Sequence, residues 1–234
     1  MKRLLYLSNG PSKRSVAQLE ERFETCGLDI DQHWAFDGEF PASLDGYCGV
    51  FLSGSPHGAY EDIEFIHREH ELIAEMAQRG LPMLGVCFGS QILASALCGR
   101  DQVFRRSQCE VGYKWHVLTW RANDDPIASV FGVRPRMFVW HNDEVRADHP
   151  DMHILARTDE CPNQIWRFRD QPIWGIQGHP EVDRAQALRW FETARPRLEA
   201  DGAVIAELAA AADDATAAKT MLHEFARFCL SDPQ

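Results

Sequence analysis

Apolar residues change their spacing along the chain, and each change marks an element. The run at 4–7 predicts a buried strand closed by a turn over 8–11. Val16, Leu19 and Phe23 keep one apolar face, which predicts a helix stopped by Gly27. Over 28–34, Leu28, Ile30 and Gln32 alternate with Asp29, Asp31 and His33, the pattern of a less buried strand. Residues 48–52 form another apolar run, ending in Ser53-Gly54-Ser55-Pro56. Ile63, Ile66, Ile73, Met76 and Ala77 then recur at helical spacing over 61–79, and Gly80 followed by Pro82 stops them. Between 81 and 97 the period switches within one stretch. Met83, Leu84 and Val86 read as a strand, Ile92, Leu93, Ala96 and Leu97 as a helix, and Cys87 falls at the turn between them.

Strands alternating with helices through residue 97 predict an α/β fold with a mostly parallel central sheet and helices on both faces. Beyond residue 100 the pattern changes to strands at 112–120, 137–140, 153–157 and 165–168, separated by polar turns and expected as antiparallel additions, hairpins at one edge of the sheet. Trp115, Trp120, Trp140, Trp166 and Trp174 lie on these expected strands and are assigned to the core. A last buried strand at 173–177 ends in Gly178-His179-Pro180-Glu181. From Asp183 the chain reads as helical, with a break at Pro196 and Ala-rich stretches over 203–218. With no repeat or low-complexity linker, residues 1–234 read as one domain, of which 183–234 are a helical C-terminal extension.

Composition narrows the function classes. At 45% hydrophobic and 25% charged residues the chain is ordinary for a globular protein. Its formal net charge of −11 provides no basic field, so neither nucleic acid nor an anionic membrane surface is an expected partner. The 7 cysteines are scattered and never spaced C-x-x-C, which suits a reducing, cytoplasmic setting better than a disulfide framework or a zinc knuckle. His67 with His70, and His149 with His153, have helical metal-pair spacing without a third ligand, so no metal or other cofactor is expected. Arg105 and Arg106 read as a solvated loop rather than a phosphate site, and no phosphate-binding glycine motif occurs.

The candidate chemistry lies at three turns, 54–56, 87–91 and 179–181, each just past the carboxyl end of an apolar strand. In an open parallel sheet those ends face one side, where ligands bind. Gly85 and Gly89 flank Cys87, as in a nucleophile elbow that brings strand and helix close together. A thiol at the helix start sees a partial positive charge that favours thiolate. His179 would be its base, and Glu181, two residues on across a proline, would orient the imidazole. Backbone N–H groups of Phe88 and of the Gly54-Ser55 turn are the natural oxyanion donors.

These residues carry a resemblance to a known family. The chain resembles the class I, triad-type glutamine amidotransferases, in the branch similar to the amidotransferase domain of GMP synthetase. The family's G-x-C-x-G-x-Q motif is matched at Gly85, Cys87, Gly89 and Gln91, and its H-P-E signature at His179, Pro180 and Glu181. The resemblance covers roughly residues 45–185. It implies that Cys87 attacks a glutamine side-chain amide, that ammonia leaves with a proton from His179, and that water hydrolyses the γ-glutamyl thioester. It also implies that Gln91 and His141, Asn142 and Asp143, the last three similar to a His-x-Asp-x-Val segment, line the pocket for the α-amino and α-carboxylate groups. Ser55 departs from the pattern, standing where the family usually has a second glycine.

Other readings compete with a glutaminase. No synthetase portion follows the matched region, so the expected partner, besides glutamine or another γ-glutamyl compound, is a separate synthetase subunit receiving ammonia. A γ-glutamyl peptidase or hydrolase would use the same triad with a wider leaving-group pocket. A catalytically silent regulatory module is disfavoured by the intact Cys, His and Glu, and another cysteine-elbow enzyme by Gln91 and the H-P-E signature.

Overall fold

The computed structural model describes residues 2–11, 23, 24, 26–133 and 135–231. The helix expected around Val16 and Leu19 lies outside these residues, although Phe23 on its expected apolar face is buried. The strands are β1 (Lys2–Leu7), β2 (Leu28–His33), β3 (Tyr47–Leu52), β4 (Met83–Val86), β5 (Val103–Trp115), β6 (Val117–Leu118), β7 (Arg136–Val145), β8 (Met152–Arg157), β9 (Ile165–Phe168) and β10 (Ile173–Ile176). The helices are α1 (Glu64–Gln78), α2 (Phe88–Cys98), α3 (Arg184–Thr193), α4 (Arg195–Ala200), α5 (Ile205–Ala210) and α6 (Thr216–Leu230).

Among the described residues, 8 strands form one sheet in the order β2-β1-β3-β4-β10-β9-β8-β6. The pairs from β2 to β10 are parallel, and β9, β8 and β6 extend the sheet antiparallel from β10. Alternation along β1 separates the two layers of the core. Leu4 and Tyr6 pack on the side of Phe225 and Met221 of α6, while Leu5 and Leu7 face Ile66 and Ile73 of α1 and Ile92 of α2. Helices therefore cover both faces, as the sequence pattern predicts. At the edge, β2 buries only Leu28 fully, consistent with its mixed pattern.

Several expectations are corrected. The strand expected at 112–120 ends at Trp115, and it begins at Val103. His116 is buried there, its N–H donating to the Pro135 carbonyl at 2.9 Å, and the chain crosses to the main sheet as β6 before a 3₁₀ turn at Trp120–Asp124. β5 therefore pairs with β7 in a separate two-stranded antiparallel ribbon and not at the sheet edge. Trp166 and Trp174 are core residues, but Trp115 and Trp120, at 55% and 72% exposed, are not. Both fall where the chain leaves a strand, so alternation no longer directs them inward. Arg105 and Arg106 lie on β5 rather than in a loop, paired with Asp143 and Glu144 of β7. Pro196 does not break a helix. It occupies the first turn of α4, where its missing N–H costs nothing, and the break is at Ala194.

Register brings the three turns together. Leu52 lies opposite Gly85, and Val86 opposite Ile176, so the carboxyl ends of β3, β4 and β10 are level at the centre of the sheet. The chain leaves each strand on the same side, at Ser53, Cys87 and Gln177 respectively.

Candidate active site

Cys87 joins β4 to α2 with φ 54° and ψ −109°, a conformation unusual for any residue with a side chain. Two backbone bonds hold it. Its N–H donates to the Ile176 carbonyl at 2.8 Å, extending the β4–β10 ladder, and its carbonyl accepts from Gln91 N–H at 3.1 Å in the first turn of α2. The flanking glycines supply space rather than unusual dihedrals. A Cβ on Gly85 would lie 2.3 Å from the Gly89 carbonyl oxygen, and one on Gly89 would lie 2.1 Å from that of Leu52. The positive φ belongs to the cysteine itself.

The side chain of Cys87 meets the other two turns. A Cβ built on Gly54 would be 3.6 Å from Cys87 Cβ and 3.6 Å from His179 Cε1, so the three residues converge. The Cys87 thiol lies 3.8 Å from the Trp140 carbonyl. His179 is fixed through its backbone N–H, which donates to the Phe138 carbonyl at 2.7 Å. Its Nδ1 lies 2.7 Å from Oε1 of Glu181. Trp190 of α3 stands edge-on to the imidazole, with centroids 5.7 Å apart. Burial works against a charge on His179, but the Glu181 carboxylate and the adjacent Cys87 sulfur outweigh it and hold its pKa well above the ordinary value.

Phe88 opens α2, and its N–H is one of the first-turn donors that a helix leaves without an internal partner. Ser55 does not require the conformational freedom of glycine. Among the described residues, non-glycine positive φ occurs at Cys87, Arg169 and Ala215, and Gly54 too has a negative φ. The family's second glycine is therefore dispensable here on backbone grounds.

The expected glutamine-pocket residues surround a cavity of about 210 Å³ that Cys87 also lines. Gln91 ties its wall together, Nε2 donating to the Asp143 carbonyl at 3.1 Å and to Gln177 Oε1 at 3.4 Å. His141, Asn142 and Asp143 lie on strand β7. Tyr60 OH donates to the Asp143 carboxylate at 3.2 Å, and Arg105 lies 3.4 Å from it. Burial raises the Asp143 pKa, against the lowering effects of Arg105 and Tyr60. His141 lines the cavity, but both of its ring nitrogens are engaged elsewhere, Nδ1 with the Asp143 carbonyl at 2.9 Å and Nε2 with Glu110 at 2.8 Å.

Some neighbours were not evident from sequence motifs. Glu110 accepts from Thr158 and Gln164 as well as His141, so a buried polar cluster lies behind the cavity wall. Burial opposes ionisation of Glu110, but His141, Thr158 and nearby Arg106 hold its pKa below the ordinary value. Glu110, His141 and Cys161 could ligate an ion by proximity, but hydrogen-bond donors already occupy both Glu110 oxygens. Arg197, on the helical extension, also lines the cavity. Behind the Gly54 turn, Asn9 N–H donates to Ser53 Oγ at 2.9 Å and Asn9 Nδ2 to buried Glu69 at 3.1 Å. Glu69 was detectable in principle, as an acid on the apolar stripe of Ile66 and Ile73.

A parallel sheet carrying a strained cysteine elbow, with a buried His-Glu pair across its carboxyl ends, defines a cysteine-nucleophile enzyme class. The model of the class I glutamine amidotransferase family matches residues 12–190, and the chain belongs to that family. It is 31% identical over 146 residues to a GMP synthase (glutamine-hydrolyzing) of Porphyromonas gingivalis, covering 62% of this chain and 27% of that protein. The match thus spans about a quarter of the length of that curated relative. One of the subunits of a GMP synthase (glutamine-hydrolyzing) from Methanothermobacter thermautotrophicus is 29% identical, with 62% of this chain and 71% of that protein covered. A crystal structure of a glutamine amidotransferase from Thermotoga maritima superposes with a TM-score of 0.82 at 25% identity, covering 98% of both chains. Among the described residues, no helix is long and apolar enough to cross a membrane.

Proposed function

We propose that the chain hydrolyses the side-chain amide of glutamine through a γ-glutamyl thioester on Cys87, releasing glutamate and ammonia. The observation that carries this reading is the convergence of Gly54, Cys87 and the His179–Glu181 pair beside a cavity that Gln91 and Asp143 also line. At about 210 Å³ the cavity is smaller than the ~300–1,000 Å³ of sites for drug-sized ligands and suits a single amino acid. The Asp143 carboxylate would receive the α-ammonium, and the Arg105 and Arg197 guanidiniums would face the α-carboxylate.

In this mechanism the Cys87 thiolate attacks the amide carbon, and backbone N–H groups of Phe88 and the Gly54-Ser55 turn receive the developing oxyanion. One such donor is worth roughly 10²–10³ in kcat. His179, charged and held by Glu181, gives its proton to the leaving nitrogen as the C–N bond breaks. It then takes a proton from the water that attacks the thioester, and the S–C bond breaks to release glutamate and restore the Cys87 thiolate beside the charged imidazole. The ammonia acceptor in this reading is a separate synthetase chain, supported by the naming of the Methanothermobacter relative as one of the subunits of a glutamine-hydrolyzing synthase.

One observation favours a second reading, a γ-glutamyl hydrolase. A further cavity of about 290 Å³ opens on the His179 side of Cys87 and offers room for a leaving group larger than ammonia. Ammonia release from glutamine, measured in parallel with amine release from γ-glutamyl dipeptides, tests both. Turnover of glutamine above that of the dipeptides supports the first reading, and a clear preference for dipeptides replaces it with the second. No turnover of either, with Cys87 inert to a glutamine-like electrophile, rejects both.

A further inference from the structure

Cys87 lies at the boundary between two cavities of opposite character. The cavity on the Gln91 side carries Arg105, Arg197 and Asp143, charges suited to an amino acid's α-groups. The cavity on the other side is bordered by Tyr6, Trp140 and Trp190. Among the described residues lining it, the ionisable groups besides Cys87 are His179 and Glu181, which bond to each other, and Tyr6. Trp140 and Trp190 meet edge to face, with centroids 6.0 Å apart and planes at 61°, and Trp190 also abuts His179. These rings form a continuous aromatic wall leading away from the imidazole.

A leaving nitrogen must lie within hydrogen-bond reach of the group that protonates it. Because His179 lines the aromatic cavity and not the charged one, whatever is attached to that nitrogen extends along the aromatic wall. We infer that this second cavity is a leaving-group chamber, and that the chain cleaves γ-glutamyl amides of amines bearing an aromatic or other flat apolar group. The inference rests on the Cys87 mechanism above and develops the second reading, naming the class of amine that the γ-glutamyl hydrolase would release. Acylation forms the S–C bond and breaks the C–N bond, and the amine departs with the His179 proton. Water then cleaves the thioester, so that one amide and one water give glutamate and the free amine. An ammonia leaving group makes no use of the wall, whereas burial of a ring against Trp140 and Trp190 favours the aromatic amide by about tenfold or more.

The test compares kcat/KM for glutamine with that for γ-glutamyl methylamide, butylamide, phenethylamide and anilide, using the full chain. The expected result is a rise along the series, with the phenethylamide at least about tenfold above glutamine. Trp190→Ala and Trp190→Leu should lower the phenethylamide-to-glutamine ratio by about tenfold. That ratio is taken on one preparation, so a partly folded variant does not distort it, and if neither variant folds the wild-type series alone decides. Turnover of glutamine with a flat or falling series, or an unchanged ratio in the Trp190 variants, overturns the leaving-group chamber and leaves the glutaminase reading intact. Absence of all turnover, with Cys87 unlabelled by a γ-glutamyl electrophile, removes the mechanism and this inference with it.

Discussion

Nδ1 of His179 lies 2.7 Å from Oε1 of Glu181, while Oε2 of the same carboxylate is buried without a hydrogen-bond partner among the described residues. The imidazole is thus oriented through one oxygen, and the uncompensated second oxygen keeps negative charge directed at the ring. Glu181→Gln retains the shape and an acceptor for Nδ1 but removes that charge. Since the nearby carboxylate is a principal reason that His179 stays protonated above its ordinary pKa, the His179 titration should move down in this variant. The expected loss in kcat is roughly 10²-fold or more, with a smaller change in KM. Imidazole chemical shifts across a pH series check the first effect and steady-state kinetics the second. An unchanged His179 midpoint would mean that Glu181 is structural.

Cys87 holds a conformation that costs on the order of 1–3 kcal/mol for a residue with a side chain. Cys87→Ala is expected to abolish turnover and to keep the fold, because a small side chain still fits between the Gly85 and Gly89 backbones. Cys87→Gly is expected to be equally inactive but more stable than the alanine variant by about 1 kcal/mol, since glycine tolerates the positive φ. Paired thermal or denaturant unfolding of the two variants measures this difference. A glycine variant less stable than the alanine variant would show that the elbow stores no strain.

How much of this was legible in the sequence depends on the range of the interactions involved. Strand–helix alternation through residue 97 gave the order of elements, because period 2 and period 3.6 are local properties. The alignment of turns 54–56, 87 and 179–181 followed from the side on which parallel strands end. Three things had no local signal. The separation of β5 and β7 from the main sheet depends on a crossing at buried His116, and the exposure of Trp115 and Trp120 follows from it. The pairing of His141 with Glu110 joins positions that only the ribbon's register brings together. The second cavity is bounded by Tyr6 of β1, Trp140 of β7 and Trp190 of α3, distant stretches that share no motif.

Gly89 shows how closely α2 is set on the sheet. A Cβ there would fall 2.1 Å from the Leu52 carbonyl oxygen, a backbone atom that moves only with β3. Gly89→Ala is therefore expected to destabilise the fold by roughly 2–3 kcal/mol, lowering Tm by about 5–10 °C, and to displace the elbow enough to impair catalysis. Calorimetry checks the first effect. A Tm within about 2 °C of wild type would show that the helix can shift without penalty.

Glu110 touches the cavity proposed for glutamine through His141, whose ring also bonds the Asp143 carbonyl that accepts from Gln91. Glu110→Gln keeps the volume but loses the charge that organises His141, Thr158 and Gln164. The cavity wall at 141–143 should loosen, raising KM for glutamine by about tenfold with a smaller effect on kcat. A fall in kcat at constant KM would place the influence of Glu110 on the reacting atoms instead.

Glu69 supplies a pH dependence whose sign follows from its surroundings. It is buried on α1, and desolvation raises its pKa from 4.5 to about 8, against a lowering hydrogen bond from Asn9. Between those two values the folded chain retains a proton that the unfolded chain has released. Stability contributed by this group is therefore greatest at low pH, falls as pH rises from about 4.5 to 8, and levels off above that. Glu69→Gln mimics the neutral acid at every pH. The variant should match wild type near pH 5 and exceed it increasingly toward pH 8, by an amount on the order of a few kcal/mol. Denaturant unfolding of both proteins at several pH values measures the difference. A gap that stays constant with pH would mean that Glu69 is ionised in the folded protein and that the Asn9–Ser53 brace behind the Gly54 turn carries a buried negative charge.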